Sequence, residues 1–252
     1  TYNTFNGALV ITGTNLPAYS GATNDIDISK LTLTGEGGNT YTLTSDDVEL
    51  TSSTEFSLTL NAADQLQLAG LFNKNGTSSG GGTTYNIAAA EDWAPGADAS
   101  TDIADLTGNS ITVANVAGPT LTSANYDASA GALVITGTNL PAYPGASNDL
   151  DVSALTITGE GGSTYTLTSD DVELSSATSA TVTLNSTDQS QLTSLLDYRG
   201  TSSSGGTTYN IAAANRWVPG ADENTDCSDL SGNSITVSNV KHTWSFSNDY
   251  LE

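Results

Sequence analysis

The residues of this chain best placed to do chemistry are carboxylates, because ten acidic positions recur at a constant spacing of 124 residues. Among them are Asp25, Asp27, Glu36, Asp46, Asp47, Glu49, Asp98, Asp102 and Asp105, with partners from Asp149 to Asp229; none of the five Lys and Arg residues recurs. Carboxylates without a shared counter-charge must face water, accept neutral hydrogen bonds or hold a cation. Calcium suits them, since it takes six to eight hard oxygen ligands and needs neither nitrogen nor sulfur. Three clusters are candidates. Asn24, Asp25 and Asp27 precede a strand and are matched by Asn148, Asp149 and Asp151; Asp98, Asp102, Asp105 and Asn109 precede the last strand and are matched by Asp222, Asp226, Asp229 and Asn233. Asp46, Asp47 and Glu49 lie in a tight turn, matched by Asp170, Asp171 and Glu173. Asp and Asn also favour turns by bonding their own backbone, so a solvated-turn reading stands beside the calcium one. No cluster has EF-hand spacing or the Gly-Gly-x-Gly-x-Asp calcium repeat.

Other chemistries find less support. The only histidine, His242, lies outside the repeated segment, which argues against a Ser-His-Asp or Cys-His triad. Cys227 stands where the first copy has Ile103, the place of a small apolar packer. Paired acids could serve a glycosidase, but two small modules without a long cleft-forming loop are a poor frame for one. The stretch from Ser78 to Thr84 lacks the Gly-Lys-Ser/Thr ending of a phosphate loop and reads as a flexible turn. Trp93 and Trp217 share one register; closing a core at a strand end is their expected role, and a sugar-binding platform is the alternative.

Charge narrows the partners. The 252 residues carry 5 bases and 28 acids, a formal charge of −23. Counterion release on nucleic acid needs a basic face, which Lys30, Lys74, Arg199, Arg216 and Lys241 are too few and scattered to make; an anionic membrane surface is disfavoured likewise. No run approaches the roughly 18 apolar residues of a membrane span, and no signal-peptide pattern opens the chain. One cysteine permits no internal disulfide. The absence of methionine suggests an internal fragment of a longer chain, with Leu251 and Glu252 as a cloning remnant.

The elements that must position these residues are duplicated. Residues 7–116 align without gaps on 131–240, with 78 of 110 positions identical. Tyr2, Tyr126 and Tyr250 share one register, so residues 1–117 read as a first repeat with a truncated opening strand and 118–241 as a second. Residues 242–252 read as a tail, either the first strand of a further repeat or a terminal cap. The linker, 115–119, is too short for a flexible tether. Alternating β-branched and aromatic residues predict strands at 9–12, 31–34, 41–44, 48–51, 56–60, 84–88 and 110–113, after an opening strand like 119–126. That number of short strands argues for an all-β, two-sheet antiparallel sandwich. One short helix interrupts it: Asn61 is an N-cap, Asp64 an acidic first-turn residue, and Leu68, Leu71 and Phe72 an apolar face, echoed by Leu192, Leu195 and Leu196.

The strings PTLTSANYDASAGALVITGTNL, LTLTGEGGNTYTLTSDDVEL, TTYNIAAA and DLTGNSITVANV resemble the tandem repeats of very long bacterial surface and secreted adhesin-like proteins. The stretch from Val10 to Leu16 is also similar to the immunoglobulin-like, transcription-factor-type sandwich. This resemblance implies two tandem Ig-like modules within an extracellular array that projects a terminal binding domain, exported without disulfides and often stiffened by calcium. Two departures matter: the module exceeds the roughly 100 residues of a plain Ig domain, and the linker lacks the acidic residues of calcium-stiffened junctions. The expected function is a non-catalytic structural extender whose partners are neighbouring repeats, with a glycan- or protein-binding module as the alternative.

Overall fold

The computed structural model describes residues 1–18, 21, 25–142, 149–222 and 224–240. Asn24, Asn148, His242, Tyr250 and the proposed tail lie outside them. The described residues are predominantly β, with sheets and two short α-helices.

The first repeat contains β1 (Tyr2–Asn3), β2 (Ala8–Thr12), β3 (Leu31–Thr34), β4 (Thr40–Thr42), β5 (Glu55–Thr59), helix α1 (Ala62–Leu71), β6 (Asn86–Ala89) and β7 (Val113–Ala114). The second repeats the series as β8 (Thr120–Asp127), β9 (Ala132–Thr138), β10 (Leu155–Thr158), β11 (Thr164–Thr166), β12 (Ser179–Thr183), α2 (Ser186–Leu195), β13 (Asn210–Ala213) and β14 (Ser234–Ser238). The predicted strand at 48–51 reduces to a single bridge, Ile26 to Val48. Leu50 points fully inward there, so its alternation signals burial without a ladder.

In the second repeat all seven strands join one curled sheet, ordered β11-β10-β13-β14-β8-β9-β12. Its pairings are antiparallel except β14 with β8, which run parallel over five residue pairs from Ser234 opposite Ser123 to Ser238 opposite Asp127. The expectation of wholly antiparallel pairing therefore fails at one seam. The opening strand bonds both β9 and the closing strand, and so fuses what would otherwise be two sheets. The first repeat keeps the same order as β4-β3-β6 and β5-β2-β1-β7, joined by the single bridge of Asn86 to Ser110, since β7 has two residues where β14 has five.

Each repeat has its own hydrophobic core. Tyr2, Phe72 and Tyr85 stack in the first, with ring centroids 5.6 and 4.7 Å apart. Leu68 and Leu71 of α1 face this core as the spacing predicts, and the Asn61 side chain accepts from the Asp64 amide. The helix ends against a Glu-Gly-Gly turn. A Cβ on Gly35 would run into the Leu71 carbonyl oxygen, and one on Gly159 into that of Leu195, so these glycines permit the close approach.

The linker is fastened rather than free. Thr4 Oγ1 donates to the Asn115 carbonyl, Asn115 Nδ2 to Asn3 Oδ1, and the Val116 amide to Asn75 Oδ1. Across the junction Asn73 Nδ2 donates to the Gly220 carbonyl at 2.6 Å.

Candidate functional site

Two of the three acidic clusters converge. The Ile26–Val48 bridge, closed by hydrogen bonds of 2.8 and 3.2 Å, sets Asp25 opposite Glu49 and Asp27 opposite Asp47. Buried Ile26 and Ile28 anchor one side of it. Asp27 Oδ1 caps a 3-10 turn, Ile28–Lys30, by accepting from the Ser29 amide and hydroxyl at 3.0 and 2.5 Å. Asp151 does the same with Ser153. Asp47 Oδ1 accepts from the Ile28 amide at 3.1 Å and Asp171 Oδ1 from the Val152 amide at 3.0 Å.

Asp25 and Asp149 differ. In each, Oδ1 is buried and has no hydrogen-bond partner. Burial raises the pKa of the Asp149 carboxyl, and the neighbouring charges of Glu173 and Asp171 raise it further. A buried carboxylate oxygen beside two more acids is electrostatically incomplete. The acids nearest it along the bridge are Asp47 and Glu49 in the first repeat and Asp171 and Glu173 in the second.

The third cluster does not converge. Asp98 Oδ1 accepts from the Ser100 amide and hydroxyl, Asp102 Oδ1 from the Ala104 amide, and Asp105 Oδ1 from Asn109 Nδ2. In the second copy Asp222 accepts from the Asn224 amide, Asp226 from the Ser228 amide and Asp229 from Asn233. These are self-bonded turns, the outcome expected of Asp and Asn in loops. Among the described residues no group of three or more His, Cys, Asp or Glu side chains is arranged to hold a metal.

The most elaborate carboxylate site is one that helix-dipole reasoning undervalued. Asp64 is fully buried at the third position of α1. It accepts from the Tyr41 hydroxyl at 2.9 Å, the Thr44 amide and hydroxyl at 2.9 and 2.7 Å, and the Ser45 amide and hydroxyl at 2.9 and 2.6 Å. Asp188 repeats this with Tyr165, Thr168 and Ser169. Burial raises the pKa of each, but the donated bonds outweigh it and hold both below the ordinary value. The signal was present in the repeated Tyr-Thr-Leu-Thr-Ser string, of which the Tyr, the second Thr and the Ser converge on the carboxylate.

Glu36 works similarly. It is 8 % exposed and its Oε2 accepts from the Gly81 amide at 2.8 Å and from Asn73 Nδ2 at 3.0 Å. Glu160 takes the Gly205 amide at 3.0 Å. The Gly/Ser loop expected to be a flexible turn is thus held to the Glu-Gly-Gly turn, with Ser79 1 % exposed.

Trp217 is fully buried and donates from Nε1 to the Cys227 carbonyl at 2.8 Å; Trp93 makes the same bond to Ile103 at 2.9 Å but is only half-buried. Cys227 itself is buried, and burial, then the Asp226 and Asp222 charges, push its thiol pKa up, away from reactivity. No protein-family model matches the chain, and no curated protein matches its sequence.

Proposed function

We propose that the chain is a structural extender: two Ig-like modules of an extracellular, adhesin-like array, non-catalytic and stiffened by calcium. The observation that carries this reading is the parallel seam between β14 and β8. The first and last strands of a module run side by side in one direction, so the chain enters at one end and leaves at the other. Length then adds with each repeat. The same seam meets a pull on the chain ends in shear, with its hydrogen bonds loaded together.

The strand order supports the Ig-like part of the reading: β13, β14 and β10 stand together as in a C-F-G sheet, and β8, β9 and β12 as in an A-B-E sheet. The spacer role is supported by how the repeats spend their polar groups, since Asp64, Glu36, Asp188 and Glu160 all hold the fold of their own module. No helix among the described residues is long and apolar enough to cross a membrane, which accords with an exposed location outside a bilayer.

Calcium is assigned to Asp25, Asp47 and Glu49 and to their counterparts, where it would neutralise the buried oxygen and the repulsion among the three acids. It supplies stiffness to the loop that joins the second and third strands, and no reaction step.

Small-angle scattering from one, two and four tandem repeats tests the extender. The maximum dimension should grow by roughly 40 Å per repeat, given strands rising about 3.3 Å per residue with loops at both ends. Dimensions that level off as repeats are added would refute it.

A further inference from the structure

The turn from β1 into β2 carries Phe5, which is 87 % exposed, the most exposed large apolar side chain among the described residues. The second repeat has Ser129 at that place. A lone ring in water would need no explanation, but this one borders a cavity. A crevice of about 220 Å³ is lined by Phe5, Gln65, Ala69, Phe72, Asn115 and Asn139 among others. Tyr2 and Phe72 are its buried aromatic floor, and Phe5, Asn115 and Asn139 its exposed mouth.

The walls come from the β1 to β2 turn, from α1, from the linker and, through Asn139, from the second repeat. The bonds that fasten the linker therefore also shape the crevice. It sits at the end of β1 that turns into β2. In the second repeat the strand residues further back, 120–124, pair with 135–138 at the far end of β9, so the crevice does not depend on them.

Its chemistry is uniform. Among the described residues neither an acid nor a base lines it, in a chain with 28 acids. Asn3, which bonds Asn115 at its edge, stands where the second repeat has Asp127, and Ala69 stands where it has Thr193. The first repeat thus lacks both the charge and the bulk of its sister. Asn115 Nδ2 donates to Asn3 Oδ1 at 3.0 Å, Asn139 Nδ2 to the Gly118 carbonyl at 3.2 Å and Gln65 Nε2 to the Leu60 carbonyl at 2.6 Å. With the nitrogens turned into the protein, amide oxygens are what the crevice offers. Such a site suits a ligand with several O–H donors and a C–H face for the rings, and it refuses a charge that it cannot pair. The volume lies below the roughly 300–1,000 Å³ of pockets for drug-sized ligands, so a single ring fills it.

We propose that the crevice binds a neutral saccharide, with one pyranose ring stacked on Phe5 and its hydroxyls donating to the amide oxygens of Gln65, Asn115 and Asn139. Because these residues come from both repeats, the ligand also ties the junction. The site depends neither on the extender reading nor on calcium.

The test is NMR titration of the whole chain with methyl β-D-galactoside, methyl α-D-mannoside and N-acetylglucosamine in turn. With at least one of them the Phe5 ring protons and the Asn115 and Asn139 side-chain amides should shift saturably, with saturation transfer from Phe5 to the sugar C–H protons. The Gln189 side chain of the second repeat should stay fixed. Phe5→Ser and Ala69→Thr, which borrow the second repeat's residues, should melt as the parent does and abolish the shifts. Glucuronate and tetramethylammonium, a charged sugar and a bare organic cation, should move nothing. The proposal is overturned if none of the three neutral sugars gives a saturable shift, or if both folded variants respond as the parent does. A saturable response to either charged probe at Phe5 would overturn it as well, because the crevice would then be a site for ions.

Discussion

A carboxylate buried without a cation survives at neutral pH only when neutral donors saturate its oxygens, and Asp64 and Asp188 meet that condition with hydroxyls and amides from one short string. Asp64→Asn places an amide among these donors and should cost about 3 kcal/mol, read as a lower denaturant midpoint for the first repeat. Because the folded pKa is depressed, the stabilisation is fully present above the unfolded value of 3.8 and is lost as pH falls through the folded value. Acid unfolding of the Asn variant should therefore be shallower than that of the parent. Asp149 has the opposite sign. Its folded pKa is raised, so its favourable contribution exists below the unfolded value and disappears as pH rises through the folded one. At neutral pH the ionised group opposes folding unless a cation is bound. Asp149→Asn should thus leave stability without calcium unchanged or higher. Calcium at a hundredfold excess over its dissociation constant should stabilise the parent by about 2.7 kcal/mol per site and leave the variant's second repeat unmoved. Identical melts of the parent with calcium and with chelator would remove the metal from the account. The repeated acids were legible in the sequence, but their division of labour was not. Spacing along a loop does not reveal that Asp27 caps its own turn while Asp25 is left with a bare oxygen, since that depends on a bridge to Val48 that only the folded chain makes.

At the scale of elements, the strongly patterned pieces were readable: the 31–34 strand, the Asn61 cap and the apolar face of α1 follow directly from local chemistry. What escaped was pairing across distance. Nothing local distinguishes a parallel seam between opening and closing strands from an antiparallel one, because residues that far apart leave no joint periodicity. The Gly/Ser loop was misjudged for a related reason. Composition suggested freedom, whereas Glu36 reaches across from another turn to hold the Gly81 amide. The hint lay in the comparison of repeats: Gly80 is replaced by Ser204, while Gly81 and Gly82 are both retained. A Cβ on Gly81 would strike the Glu36 carboxylate, and one on Gly205 that of Glu160. Gly81→Ala should cost about 1–3 kcal/mol in urea unfolding, and Gly80→Ser close to nothing. Equal effects at both positions would show the loop to be unattached.

For the molecule as a whole, the two cores are separate, and the junction rests on a fastened linker and the bond from Asn73 to Gly220. Asp197 occupies the equivalent position in the second repeat and cannot donate such a bond when ionised, so the contact belongs to this junction and not to the module. The same sequence register that revealed the duplication also explains why the halves are unequal, with a two-pair parallel seam in the first repeat and a five-pair seam in the second. An extender must bear tension along its axis, and the five-pair seam of the second repeat gives the most direct measurement. In single-molecule force spectroscopy with the chain held by its ends, the account predicts that the second repeat unfolds in one high-force event. A second repeat that unzips at low force would contradict it.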